Sequence, residues 1–342
     1  MRNLLFTVFA AFTLALTGCR TQPIAPAAPP APYTRVVNPD SNVVQLQIAL
    51  RKFVPAHHRG PAIWLAGTMH VGEPQYYHNV QKFLDGQTVV LFEGINSELH
   101  PRHVPHAGQP ADDPPPPKPE QVNTNAGSSM QSTLATALGL VFQLDAIDYD
   151  RTNFLNSDLS VQQITRLMTG DMNAVAAQPG QPGKSNPTFD ALLQVMDGSS
   201  FLGSLVKLGI QFIGSDPKLQ ALTKLTLIEM VGQMKGDIGG MRGLPPDLKH
   251  LVQVLIEARN QNVITDLRTE LKTVPRDGSI AVFYGTGHMD DLEKRLTTQL
   301  NYRPADEIWL TAFGVDMHKA GLSPAEVQTM KNLVKWQLQQ ME

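Results

Sequence analysis

Two histidines stand in matching settings, His70 in Gly67-Thr68-Met69-His70 and His288 in Gly285-Thr286-Gly287-His288. Each tetrad follows an apolar run, Ala62-Ile63-Trp64-Leu65-Ala66 before the first and Ile280-Ala281-Val282-Phe283-Tyr284 before the second. Each precedes a stretch with helical spacing. Imidazole exchanges protons near neutral pH and is the commonest metal ligand. At the mouth of a strand, just past a glycine turn, it sits where α/β proteins build their sites. Composition alone yields about 0.05 chance matches to Gly-Thr-x-His, so two copies in the same context are a signal. A carboxylate has a comparable place: Thr88-Val89-Val90-Leu91-Phe92 reads as a strand and ends in Glu93-Gly94.

The elements that must position these residues can be read around them. Ala62 to Ala66 is a strand, Gly67 to Gly72 a turn, and Glu73 to Leu84 a helix with Tyr76, Val80, Phe83 and Leu84 on one side. With the strand ending at Phe92 this closes a βαβ unit. Val43 to Phe53 reads as a strand or a short helix. Phe142 to Ile147 reads as a short strand. Asp158-Leu159-Ser160 opens a helix running to Met168, and Asp216-Pro217 announces one reaching Met234. Pro246 to Lys272 is a long amphipathic helix that carries Glu257, Arg259 and Asn260. The second unit runs from Ile280 through the motif to a helix over Met289 to Leu300 and a strand over Glu307 to Phe313. A last helix begins at Ser323-Pro324-Ala325-Glu326, a capping-box pattern. The expected fold is therefore α/β: a central mixed sheet built from two strand-GTxH-helix-strand units, with a helical insertion over 155–245 between them.

The chain has 342 residues and a formal net charge of −3, which gives no basic face for nucleic acid. Leu4 to Thr17 is an apolar segment behind Arg2, of signal-peptide length and too short to span a bilayer stably. It ends in Leu16-Thr17-Gly18-Cys19, which resembles the lipobox of bacterial lipoproteins. That resemblance implies cleavage after 18, a lipid on Cys19 as the membrane attachment, and a cell-envelope location, facing the periplasm from the outer membrane if the source is Gram-negative. Cys19 is the only cysteine, so no internal disulfide forms. Residues 19–41, rich in Pro and Ala, read as an extended tether, and the folded domain is expected over 42–342. Residues 100–127 hold Pro114-Pro115-Pro116-Pro117 and read as a disordered insertion. His100, His103 and His106 within it read as part of a solvated loop more than as a metal tract, because a floppy loop must be ordered before it chelates.

The motifs together resemble those of the TraB/GumN family, which is related to the animal Tiki proteases and, more distantly, to erythromycin esterases and haem-binding ChaN-like lipoproteins. The resemblance rests on Gly67-Thr68-Met69-His70, Val90-Leu91-Phe92-Glu93, Glu257-Ala258-Arg259-Asn260 and Gly285-Thr286-Gly287-His288, and spans most of the chain from Val43 to Phe313. It implies that His70, Glu93 and His288 form the site, with Arg259 close by. One departure is Met289-Asp290-Asp291, where family members often have a glycine shortly after the second histidine. Those two acids are either extra ligands or the first turn of a helix, where acids suit the dipole.

Two imidazoles and a carboxylate suffice to hold a catalytic divalent ion, with Zn, Mn or Co suited and positions left for water. The first expectation is therefore a metal-dependent hydrolase, a peptidase, with His70, Glu93 and His288 on the metal. Glu93 is either a ligand or the general base. Arg259 either stabilises an oxyanion or a substrate carboxylate, or makes a structural ion pair with Glu93 or Asp291. Thr68 and Thr286 are expected to orient their histidines. The alternatives are a metal-free, esterase-like hydrolase with a histidine base, and a lipoprotein that binds haem or another ligand. No HExxH helix, GxSxG elbow or phosphate-binding glycine loop is present. The substrate expected is a peptide or a small molecule; the oligomeric state is left open.

Overall fold

The structure, a computed structural model, describes residues 31–57, 59–94, 130–170, 213–233 and 250–339. In chain order these form β1 (Thr34–Asp40), β2 (Val43–Pro55), β3 (Ala62–Thr68), β4 (Val71–Gly72), α1 (Pro74–Asp85), β5 (Val89–Phe92), α2 (Met130–Ala137), β6 (Val141–Phe142), α3 (Gln143–Ala146) and β7 (Phe154–Asn156). Then come α4 (Val161–Thr169), α5 (Pro217–Gln233), a π-helical turn (Gln253–Ala258), α6 (Arg259–Thr273), β8 (Ser279–Gly285), a 3-10 turn (Thr286–His288), α7 (Met289–Gln299), β9 (Tyr302–Asp316) and α8 (Pro324–Gln339).

The three strands that read as unbroken apolar runs, β3, β8 and β5, lie side by side and parallel. Buried on both faces, they do not need the alternation that a half-exposed strand shows. The sheet order is β1-β2-β3-β8-β5-β7, and β9 pairs antiparallel with β2. The α/β class with a mixed central sheet is therefore as expected, but β3 and β5 are not neighbours. The strand of the second unit, β8, is inserted between them. The chain's two motif units are thus interleaved, which is what brings their ends together.

Side chains on alternate strand positions feed two apolar layers. Trp64, Ala66, Phe92 and Phe283 face Tyr76, Tyr77 and Val80 of α1, Leu225 and Ile228 of α5, and Val334 of α8. Ile63, Leu65, Leu91, Val282 and Tyr284 face Val263, Ile264 and Leu267 of α6 and Met289, Leu292 and Leu296 of α7. A separate cluster of Ile164, Met168, Leu251 and Val254 joins α4 to the helical stretch around the π turn.

Three expectations change. The tether does not extend to 41, because β1 pairs antiparallel with β2 and Tyr33, just before it, is buried. The Pro/Ala-rich composition ends at Pro32, and the sheet begins almost at once. The strand expected over Phe142–Ile147 is only the two-residue β6, paired with β4; α3 follows immediately. The span expected as a helical insertion opens instead in β7, which extends the sheet beside β5, and its α5 packs into the main apolar layer. The expected signal peptide, Cys19, the His100, His103 and His106 loop, and residues 171–212 and 234–245 of the expected insertion lie outside the described residues. Among the described residues no helix is long and apolar enough to cross a membrane.

Candidate functional site

In the parallel pairing of β3 with β8, Gly67 lies opposite Tyr284 and Thr68 opposite Gly285, so the two motifs leave the same sheet edge as neighbours. Pairing of β5 with β8 brings the third residue in, as Glu93 N donates to Phe283 O at 3.1 Å. The Glu93 carboxylate then lies against the second motif, with Oε2 accepting from Gly285 N at 2.8 Å. Gly67 and Gly285 are there for space and not for an unusual backbone, since neither has a positive φ. A Cβ on Gly285 would touch Glu93 Oε2 at 3.4 Å, and one on Gly67 would press on Ala49 O and Thr286 Cγ2, both at 3.3 Å.

Arg259 is the hub. Its Nε and Nη2 form a two-pronged pair with Asp158 Oδ1 and Oδ2, at 2.8 and 2.7 Å. Nη2 also donates to Glu93 Oε1 at 2.7 Å. Nη1 donates to Leu255 O at 3.2 Å and lies 3.3 Å from His288 Nε2. A guanidinium has five N–H donors, and these contacts use them all. Arg259 therefore has no donor left for an oxyanion or a substrate carboxylate in this arrangement. Of the roles open to it, the observed one is structural: it pairs with Glu93, and with Asp158 in place of Asp291. Arg259 follows directly on the π-helical turn, and such turns occur frequently at functional sites.

His288 is buried, and its tautomer follows from its neighbours. Asn260 donates through Nδ2 to His288 O at 3.2 Å and to Asp291 Oδ2 at 2.8 Å, which leaves Asn260 Oδ1 as an acceptor. His288 Nδ1 lies 2.7 Å from that oxygen and so carries the proton. Nε2 is then the lone pair, and it accepts from Arg259. Asp291 also accepts from Arg295 Nε at 2.6 Å. Its position in the first turn of α7 agrees with the helix-end reading, and its hydrogen bond fixes the amide that fixes His288.

The charges follow from the same contacts. Burial pushes His288 down from 6.5 to about 4, with Glu93 opposing and Arg259 reinforcing the shift, so the ring is neutral at neutral pH. Burial by itself would raise Glu93. The charge that His288 carries once protonated, then Arg259 and the Gly285 N–H, outweigh it and hold the carboxyl at about 2. With His288 neutral, Arg259 supplies the lasting part of that effect. Burial also works against the charge on Arg259, but Asp158 and Glu93 hold the guanidinium more firmly ionised than usual. Two carboxylates, one guanidinium and a neutral imidazole leave the centre with a net negative charge.

Access divides the group. The side chains of Asp158 and Arg259 are 0% and 5% exposed, whereas Glu93 retains 18%. His70 is exposed, and among the described residues its imidazole makes no hydrogen bond. Its backbone is fixed, because Gln143 N donates to His70 O at 2.8 Å. When it carries a proton its charge reaches Glu93 and helps, less than the other neighbours do, to lower that carboxyl's pKa. Glu93 and His70 are thus the members of the group that solvent reaches, and His288 and Arg259 are the buried ones.

The threonines do not act as expected. Thr68 Oγ1 donates to Met69 O at 3.3 Å, and Asn260 rather than Thr286 orients His288. Asp158 was not legible as part of the site. In the sequence it looks like the start of a helix, and its pairing with Arg259 across 101 residues has no local signature. Asn260 is adjacent to Arg259 in the motif, and that adjacency was the available hint. Glu257, in the same motif, is exposed.

Comparison of the chain with family models, curated proteins and solved structures finds no match. The resemblance to TraB/GumN proteins thus rests on the motifs themselves. The metal it implies can be tested against the geometry. His288 Nε2 and Glu93 Oε1 are 3.7 Å apart, near enough for one ion to touch both. Arg259 lies against both atoms, however. A divalent ion about 4 Å from a guanidinium is repelled by on the order of 8 kcal/mol at an effective dielectric of about 20. Among the described residues no three His, Cys, Asp or Glu side chains are arranged to hold an ion. As arranged here, His70, Glu93 and His288 do not fit one.

Proposed function

We propose that this chain is a hydrolase of the cell envelope that cleaves an amide or ester bond in a peptide or small-molecule substrate, with His70 as general base and Glu93 as the carboxylate that supports it. The observation that carries this reading is that an ionised, partly exposed Glu93 and an exposed imidazole stand at the same sheet edge, near enough for the one to feel the other's charge. Glu93 is too acidic to take a proton from water at neutral pH. His288 is buried with its lone pair turned to Arg259. His70 is left as the accessible base. It takes a proton from water, the hydroxide adds to the substrate carbonyl, and the imidazolium returns the proton to the leaving amine or alcohol as the carbon–heteroatom bond breaks. The net negative charge behind His70 stabilises that imidazolium. Arg259, itself held by Asp158, and the Gly285 N–H keep Glu93 in place and ionised. The envelope location rests on the lipobox-like Leu16-Thr17-Gly18-Cys19.

The test is hydrolysis of a panel of peptide and ester substrates by the full chain, its His70→Ala variant and its Glu93→Gln variant. Each variant is expected to lose at least about 100-fold in kcat/KM, in the range of a lost general base. Undiminished hydrolysis by folded His70→Ala protein would overturn the reading. Activity that disappears with a chelator and returns with Mn, Co or Zn would replace it with the metal-dependent form.

A further inference from the structure

The geometry points to Arg259 as the resident cation of this centre, its guanidinium filling the place that a divalent ion would otherwise take between Glu93, Asp158 and His288. Four atoms of metal-ligand type converge on it. Glu93 Oε1 and Asp158 Oδ2 lie 2.7 Å from Nη2, Asp158 Oδ1 lies 2.8 Å from Nε, and His288 Nε2 lies 3.3 Å from Nη1. Two carboxylates and one imidazole are the donor set of many divalent-metal sites. Here each donor already has a guanidinium N–H. The imidazole also shows its lone pair to the guanidinium, with its N–H turned away to Asn260 as in metal-bound histidines. Three chain segments contribute these donors: the end of β5, the turn after β7 and the turn after β8. The fold therefore gathers side chains of metal-ligand type around an internal cation, at spacings that suit the guanidinium, and an ion in its place would have to draw them closer together. The claim rests on this arrangement and not on the hydrolase reading, so it would hold for a chain with no hydrolytic activity.

It follows that the wild type takes no ion at His288, and that removing the guanidinium opens a site. The probe is Co2+, whose visible absorption reports bound nitrogen and oxygen ligands, together with metal stoichiometry by mass spectrometry. The proteins are the full wild-type chain, His288→Gln, Arg259→Ala, and Arg259→Ala combined with His288→Gln. So that any Co2+ taken up by other histidines, His100, His103 and His106 included, is not counted, only binding that depends on His288 counts. Wild type and His288→Gln are expected to bind the same amount of Co2+. Arg259→Ala is expected to gain about one equivalent, with a new visible band that the double variant lacks. Its melting temperature should rise on adding Co2+, since an ion that binds only the folded state stabilises it. Wild-type binding that is lost in His288→Gln overturns the inference, as does a folded Arg259→Ala protein that gains no ion. If Arg259→Ala does not fold even with Co2+, the comparison of wild type with His288→Gln decides the matter. Hydrolysis assays on the same wild-type sample keep the failure of this inference separate from the failure of the proposed function.

Discussion

Acid should destabilise this protein through His288, and the size of the effect can be worked out. The ring has its lone pair on Arg259 and titrates at about 4 in the fold, against 6.5 when unperturbed. A lowered histidine pKa means that the unfolded chain binds the proton first. Stability is thus at its full value above 6.5 and is lost as pH falls toward 4. The whole gap corresponds to about 3 kcal/mol. Between pH 7 and pH 5 the loss is about 2 kcal/mol. Glu93 acts in the same direction, because its pKa is lowered from 4.5 to about 2. Its stabilising contribution is lost mostly below pH 4.5, so at pH 5 it adds only about 0.2 kcal/mol. pH 5 is diagnostic because it lies inside the His288 range and still above the 4.5 at which the Glu93 range begins. The assay is urea unfolding at pH 7 and pH 5, followed by tryptophan fluorescence, for wild type and His288→Gln. Glutamine cannot be protonated, so the variant's pH 7-to-5 loss should be smaller than that of wild type by about 2 kcal/mol, whatever its stability at pH 7. Equal losses in the two proteins would show that the His288 lone pair is not held as described.

Other outcomes follow from the same contacts. Asp158→Ala removes the two-pronged partner of Arg259 and should cost about 3–5 kcal/mol, the range for breaking a buried ion pair from one side; chemical denaturation measures it. His70→Ala should change stability by no more than about 0.5 kcal/mol, because the side chain is exposed, and the same denaturation curves check this. Gly72→Ala would put a Cβ 2.9 Å from Tyr76 Cδ1 and 3.3 Å from Ala312 O, in a buried corner that cannot yield easily. It should cost about 1–3 kcal/mol by overpacking, read as a lowered melting temperature.

The sequence by itself determined most of the elements and the identity of the motif histidines. Unbroken apolar runs such as Ile280 to Tyr284 can be buried on two faces only within a sheet flanked by helices. Local chemistry also marked several helix starts. Asp216 Oδ1 accepts from Lys218 N at 2.8 Å, and Ser160 and Gln163 form a capping box. Such features are decided by neighbours within a few residues, so a linear reading finds them. Tertiary structure alone decided the strand order, because inserting β8 between β3 and β5 depends on which faces find cover once all the strands exist. It also decided the partners of Arg259. A guanidinium hydrogen-bonds whatever acceptors the fold brings to it, and here these were Asp158 and Glu93, from 101 and 166 residues away. Last, it decided the states of the histidines, since the same Gly-Thr-x-His leaves His70 open to solvent and buries His288 neutral behind Arg259 and Asn260. Burial and long-range pairing set those states, and neither is written in the four residues of the motif.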